Sequence, residues 1–308
     1  MIDCIYIAAS RYDARFTPIC VASVRRFYPD ARIRLIVSGG ALRPGLAQEL
    51  ETRYGVTVAD FPRGDYGWGF VKLEPLFRPA GERFLMLDSD TALTGPVLDC
   101  WRDLEAPFIV DNEEYAPEVI PTRYYDWEKV RKIDSEAQPP AFVFNSGQWI
   151  GTSGVLCRED FDPWVDWTFP RRLKHPEVFF PGDQGVFNYV LVQKAMLEGL
   201  PVERQTMMHW PGYGMNGLTA EAVRTGSAKP LIIHWAGVKS SQMSRMEGAD
   251  ILADYEDEYY QRLPLGGLRR RFALTYTTLI NAWRWAWVRI SLTVRKLASR
   301  PSVSSSGW

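Results

Sequence analysis

Residues 83–93 read Arg-Phe-Leu-Met-Leu-Asp-Ser-Asp-Thr-Ala-Leu. Phe84, Leu85, Met86 and Leu87 form an unbroken apolar run, the pattern of a strand buried on both faces. The interior of such a strand cannot hold Asp88 and Asp90 without a large desolvation cost. The chain therefore has to leave the sheet at Asp88. Open α/β sheets bind their ligands outside the carboxyl ends of their strands. Residues two apart on an extended chain point the same way, so the two carboxylates can share one hard cation such as Mg²⁺ or Mn²⁺. A polar turn that merely opens a loop has the same local pattern, and the rest of the chain has to separate the two readings.

Upstream of this stretch, strand and helix alternate. Residues 3–9 are strand-like, and 14–27 read as a helix with Ile19, Val24 and Phe27 among its apolar positions. A strand is predicted over 32–37, ended by Gly39-Gly40, then a helix over 42–53 and a short strand over 56–59. Residues 70–77 suit a short helix made irregular by Pro75. This order favours a mostly parallel sheet covered by helices. No G-x-G-x-x-G or G-x-x-x-x-G-K-[ST] follows the first strand, which removes the usual dinucleotide and P-loop signatures.

The second half is more broken. Residues 111–141 are rich in charge, Tyr and Pro and read as a loop-rich insertion. Residues 142–156 alternate short apolar runs with Asn145-Ser146-Gly147 and Gly151-Thr152-Ser153-Gly154. Helices are predicted over 159–174 and 184–197. Leu231-Ile232-Ile233 is a short apolar strand that ends in His234, just as 84–87 ends in Asp88. Alone, His234 reads as well as a satisfied structural residue. With Asp88 and Asp90 it completes an O, O, N ligand set that leaves positions open for phosphate oxygens and water. Gly237 would let backbone N–H groups approach an anion, and Lys239 would bring positive charge to a diphosphate.

The chain has 308 residues, 46% of them hydrophobic and 24% charged, as in folded proteins with a sizeable core. Cys4, Cys20, Cys100 and Cys157 show no C-x-x-C spacing and are expected to be reduced, mostly buried thiols in a reducing compartment. The chain opens directly on strand-like sequence, and no signal peptide is expected. The net charge of −1 hides an asymmetry. After Glu258 no acid follows, whereas Arg262, Arg269, Arg270, Arg271, Arg284, Arg289, Arg295, Lys296 and Arg300 do. Apolar residues recur there at helical spacing, at Phe272, Tyr276, Leu279, Trp283, Trp287, Ile290, Val294 and Leu297. The pattern predicts a basic amphipathic helix with three tryptophans, Trp283, Trp285 and Trp287. Its charge-free part is too short to span a bilayer and suits the interface of an anionic membrane. Packing on the body or on a second subunit would satisfy the same pattern.

Taken together, Leu87-Asp88-Ser89-Asp90, Phe144-Asn145-Ser146-Gly147, Gly182-Asp183-Gln184 and His234-Trp235-Ala236-Gly237-Val238-Lys239 resemble the motif set of GT-A nucleotide-sugar glycosyltransferases. The nearest resemblance is to the retaining family 8, of glycogenin and the lipopolysaccharide galactosyl- and glucosyltransferases. It covers about residues 3–240. It implies an α/β fold with a Rossmann-like, mostly parallel mixed sheet flanked by helices. A GT-A domain would span residues 1–262, with a nucleotide-binding part to about 110 and an acceptor-side part beyond it. The basic helical tail would follow over 263–300, with a disordered end over 301–308.

The resemblance also assigns roles. Asp88, Asp90 and His234 would bind Mn²⁺ (or Mg²⁺). Asn145, Asp183 and Gln184 would face the donor sugar and the reacting centre. Ala8, Ala9, Ser10 and Tyr12 would hold base and ribose, and Lys72, Ser89, Gly237 and Lys239 would contact the donor. The implied partners are a nucleotide sugar, of the UDP-sugar class, and a glycan or lipid-linked acceptor. The basic tail, residues 268–300, would meet an anionic membrane on its cytoplasmic face. Two departures stand out: Ser10 occupies a place where the family often has an acid, and Lys239 comes one residue early, with Ser240 in place of Pro. A non-catalytic nucleotide-sugar-binding module keeps the same metal site without turnover. A haloacid dehalogenase-type phosphatase also ends an apolar strand in D-x-D, but wants Thr or Val where Ala92 stands. Nucleic-acid binding is not expected, because the body is acidic.

Overall fold

The structure is a computed structural model, and it describes residues 2–275 apart from 11, 12, 39–41, 43, 63, 68, 80, 113, 114, 213, 214, 238–241 and 274. The strands are β1 (Cys4–Ser10), β2 (Ile33–Ser38), β3 (Val56–Val58), β4 (Arg83–Asp88), β5 (Thr91–Leu93), β6 (Phe108–Asp111), β7 (Gln148–Thr152), β8 (Val165–Asp166), β9 (Arg172–Leu173), β10 (Val202–Gln205), β11 (Met208–His209) and β12 (Ile232–His234). The helices are α1 (Phe16–Phe27), α2 (Leu46–Tyr54), α3 (Val97–Cys100), α4 (Ile120–Arg123), α5 (Trp127–Ile133), α6 (Arg158–Phe161), α7 (Asp183–Leu197), α8 (Ala220–Thr225) and α9 (Ala249–Gln261). A 3-10 helix runs over Phe70–Phe77 and tolerates Pro75.

Seven strands form the main sheet in the order β10-β6-β7-β4-β1-β2-β3. The run β4-β1-β2-β3 is parallel, and β7 lies antiparallel between β4 and β6. A second sheet, β11-β12-β5, sits at the carboxyl edge of the first.

Strands β1 and β4 are buried on both faces, as their apolar runs predict. Ile5, Ile7, Leu85 and Leu87 join a core beneath α1, α2 and α9. Cys4, Tyr6, Phe84 and Met86 face the opposite core, with the 3-10 helix and α7. That second core is aromatic: Phe84 meets Tyr6 and Trp149 edge-on, and Trp149 packs on Phe187. The architecture is the mixed, mostly parallel sheet with helices on both sides that the sequence implies.

Several local expectations need correction. The helix predicted over 159–174 is only the single turn α6, followed by the β8–β9 hairpin. Pro163 and Pro170 interrupt the helical pattern that the apolar spacing suggested. The helix predicted from 42 begins at Leu46, after Pro44 and a left-handed Gly45. The stretch 111–141 carries two short helices, α4 and α5, rather than loop alone. Sequence reading also did not anticipate β6, β10, β11, α8 and α9. The tail beyond residue 275, including Trp283, Trp285, Trp287 and the end over 301–308, lies outside the described residues.

The cysteines are all free, but two rather than most are buried: Cys4 and Cys20 are enclosed, and Cys100 and Cys157 are exposed. Burial pushes both inner thiols up to about 12. A raised thiol pKa keeps the unreactive protonated form at lower pH. In native protein at about pH 8, Ellman's reagent should therefore titrate two thiols quickly, with Cys4 and Cys20 reacting only after denaturant is added. Four fast thiols would contradict the packing described.

Candidate active site

Asp88 is the last residue of β4 and His234 the last of β12. The antiparallel register of β12 on β5 sets His234 opposite Thr91, next to Asp90. This pairing brings the distant histidine to the acids. His234 Nε2 lies 3.5 Å from Asp90 Oδ1 and 3.7 Å from Asp88 Oδ2. Ligand atoms of all three side chains lie within 4.8 Å of one another. With bonds of about 2.0–2.6 Å, ligands of one ion sit roughly 3–5 Å apart. The donor set and its spacing therefore fit a divalent cation. Asp90 and His234 are buried, while Asp88 keeps 27% of its side chain exposed.

The turn that presents the acids is pinned by backbone bonds from three directions. Asp88 N–H donates to the Gly147 carbonyl (2.7 Å), Ser89 N–H to the Ala8 carbonyl (3.1 Å), and Trp235 N–H to the Asp90 carbonyl (3.1 Å). Thr91 Oγ1 donates to the Asp88 carbonyl at 2.8 Å. Ser89, predicted to face the donor, is buried and braces this turn. Ala8 and Ser10 sit half-buried at the carboxyl edge of β1, with Ala9 in the core between them.

Lys72 reaches into the same place. Its ammonium lies 3.2 Å from Asp88 Oδ1 and 3.0 Å from Asp183 Oδ2. It also donates to the carbonyl and hydroxyl oxygens of Ser146, both at 3.2 Å. Burial alone would push this lysine down, but the Asp183 and Asp88 carboxylates outweigh it and hold the pKa above the ordinary lysine range. Burial raises the Asp88 carboxyl, Lys72 opposes that rise, and the Asp90 charge adds to it. An ammonium has three donors, and here acceptors on Asp88, Asp183 and Ser146 surround it. Lys72, expected as a donor contact, is thus committed to holding Asp88 and Asp183 together.

Asp183 opens α7 after Gly182, whose φ is 97°. A helix N-terminus favours a carboxylate. Gly69 makes room for it: with φ +84°, it would place a Cβ 1.8 Å from Asp183 Oδ1. Gly147 is equally constrained, because a Cβ there would fall 2.1 Å from His234 Cε1. Asn145 Oδ1 accepts the Gly147 N–H at 2.8 Å and so shapes this turn. Gln184 Oε1 accepts from Ser146 N–H at 3.4 Å, and its amide nitrogen donates to the Arg123 carbonyl at 2.9 Å. One turn on, Asn188 bonds both backbone groups of Phe144.

The structure thus gathers Asp88, Asp90, His234, Lys72, Asn145, Asp183 and Gln184 around the carboxyl edge of β4. Gly237 follows β12 with φ +71° and open space around it. Tyr12 and Lys239 lie outside the described residues. Sequence reasoning missed four contributors. Asp13 Oδ2 accepts from Ser10 Oγ at 3.0 Å and puts an acid beside the position where the family often carries one. Ser146 bonds Lys72, and Gly69 accommodates Asp183. Trp210 stacks on His234. Ser146 lies inside the Phe144-Asn145-Ser146-Gly147 motif, where a serine alone does not point to a lysine partner, and a lone Trp after Met-His carries no recognisable signal.

No protein-family profile and no curated protein sequence matches the chain. Solved structures do. The apo structure of the bifunctional glycosyltransferase WbbM aligns at a TM-score of 0.52 and 13% identity, over 84% of this chain. The galactosyltransferase LgtC, in complex with donor and acceptor sugar analogues, aligns at 0.51 and 17%, over 83% of this chain and 95% of that one. The chain has the GT-A fold. The apo glycosyltransferase GlyE of Streptococcus pneumoniae aligns at 0.52 and 14%, over 89% of this chain and 64% of that one. This chain spans about half of WbbM, 49% of its length.

Replacing Lys72 with Met leaves two carboxylates facing each other without their cation. We expect a loss of about 3 kcal/mol in stability, read from urea unfolding of metal-free protein. A loss below about 0.5 kcal/mol would mean that Lys72 is not the cation holding the pair.

Proposed function

We propose that the chain is a metal-dependent glycosyltransferase that moves a sugar from a nucleotide diphosphate, of the UDP-sugar class, to a hydroxyl of a glycan or lipid-linked acceptor, with retention. The observation that carries this reading is the meeting of Asp88, Asp90 and His234 at the carboxyl edge of β4, on a GT-A fold. Asp88, Asp90 and His234 would hold Mn²⁺ (or Mg²⁺). The ion supplies Lewis-acid neutralisation of the departing diphosphate.

This chain's own residues do the rest. The edge formed by Ala8 and Ser10, with Asp13 beside it, borders the place for base and ribose. Gly237 and Lys239 follow His234, where the diphosphate would lie. Asp183, fixed by Lys72 and the α7 N-terminus, puts a carboxylate where positive charge develops on the sugar. Gln184 and Asn145 line the same edge and orient the donor sugar. No general acid is needed at the leaving group, because a diphosphate departs as a stable anion. The acceptor hydroxyl attacks the anomeric carbon from the leaving-group side as the bond to the diphosphate breaks, and its proton passes to the departing diphosphate oxygen.

The described start of the tail bears on the partner at the other end of the molecule. Residues 266–273 are helical. Leu268 (52%) and Phe272 (73%) are exposed along them, and Leu265 (75%) just before them, an apolar patch that leads into the Trp-rich sequence. Arg269 pairs with Glu49, and Arg270 with Asp257. These two arginines are neutralised by the body, so fewer charges remain for a lipid surface than the sequence count suggests. The patch and the remaining basic residues support a peripheral seat on an anionic cytoplasmic membrane face. No described helix is long and apolar enough to cross a membrane.

Thermal shift over a panel of nucleotide sugars tests the donor class. A UDP-sugar should raise the Tm only with Mn²⁺ present, and slow donor hydrolysis should accompany it. Asp90→Asn and His234→Ala should each remove the Mn²⁺-dependent shift and lower hydrolysis by about 100-fold or more. Retention of the shift in both variants would remove these residues from the metal site. Separately, the full chain should cosediment with vesicles containing phosphatidylserine and release with rising salt, and a chain ending at 275 should bind several-fold more weakly. Equal binding by both would place the membrane contact elsewhere.

A further inference from the structure

A metal-binding histidine is normally held by a hydrogen bond from its other ring nitrogen, which sets both tautomer and ring plane. Among the described residues His234 lacks that support. Its Nδ1 is buried and makes no hydrogen bond among the described residues. The carboxylates near Nε2 are at 3.5 and 3.7 Å, too far for a strong bond. The ring is nonetheless almost fully enclosed, with 3% of its side chain exposed. Something other than hydrogen bonding has to fix its orientation.

The sheet register supplies it. Strands β11 and β12 run parallel, with Met208 beside Ile232 and His209 beside Ile233. Continuing that register by one residue sets Trp210 beside His234. Neighbours across a strand pair bring their side chains together on one face. The Trp210 indole and the His234 imidazole are stacked, with centroids 5.9 Å apart and planes 16° from parallel. The other constraint comes from Gly147, whose Cα crowds the Cε1–Nδ1 edge of the imidazole so closely that no Cβ would fit. A flat wall on the face and a backbone wall on the edge leave the ring with Nε2 turned toward Asp88 and Asp90.

We infer that Trp210 is a positioning residue for the metal site, acting through His234 by aromatic packing in place of the missing Nδ1 hydrogen bond. This rests on the reading of Asp88, Asp90 and His234 as the ligand set. It assigns Trp210 to the His234 imidazole rather than to sugar or nucleobase.

Mn²⁺ binding by electron paramagnetic resonance tests it without any acceptor, first with the metal alone and then with UDP added. Trp210→Ala should weaken Mn²⁺ binding by about 10-fold or more, the usual cost of losing an outer support. Trp210→Phe keeps a flat ring at the same register and should restore affinity to within about 3-fold of the parent. Circular dichroism and the metal-free Tm check that each variant is folded. Wild-type affinity in folded Trp210→Ala overturns the proposal. So does equal weakening in both variants, since that would point to a role of the indole that a ring alone does not fill. If the parent itself binds no Mn²⁺, with or without UDP, the metal-site reading fails first, and the two failures are told apart.

Discussion

Three carboxylates meet at the end of one buried strand, and among the described residues the ammonium of Lys72 is placed between two of them. In a site of low polarity, like charges at short range are costly unless compensated. Lys72 meets Asp88 and Asp183 directly, and Asp90 lies on the far side, toward His234. The spacing of Asp88, Asp90 and His234 is what a divalent cation would fit. Lys72 ties the end of β4 to the start of α7, so that Asp88 and Asp183 keep a fixed relation.

Two glycines make that density of polar groups possible. Gly69 lies against the Asp183 carboxylate and Gly147 against the His234 ring, each closer than any side-chain carbon could approach. Neither glycine contributes chemistry. Each lets a backbone turn occupy the volume that a side chain would otherwise take from the Asp183 carboxylate or the His234 ring. The amide residues do related work: Asn145 shapes the Gly147 turn, Gln184 spans Ser146 and Arg123, and Asn188 clamps Phe144 to α7. The strand-end residues and the helix start are thereby held in one frame.

The parts of this that are legible in sequence share a physical cause. A strand buried on both faces leaves an apolar run that nothing polar interrupts, so Phe84–Leu87 and Leu231–Ile233 stand out, and the residues that end them stand out with them. The order of strands and helices through residue 88 is readable for the same reason. Other elements are hidden because their stability is borrowed. Strand β11 is two residues long and exists only by pairing with β12. The β8–β9 hairpin interrupts a stretch whose apolar spacing imitates a helix, and only Pro163 and Pro170 argue against it. Gly69 is invisible in principle: its importance is a distance to Asp183, far along the chain, and no spacing encodes it.

Trp210 shows where that boundary falls. The stack on His234 follows from a register, and a register follows from which apolar residues of two short strands share a core. Met208 and Ile232 must be neighbours because both are buried, and once they are, position 210 has to face position 234. A one-residue slip would exchange the faces of every side chain in β11 and move the indole away from the imidazole. The packing of an unremarkable two-residue strand thus sets how the indole meets the His234 imidazole, and the core and the candidate site cannot be altered independently.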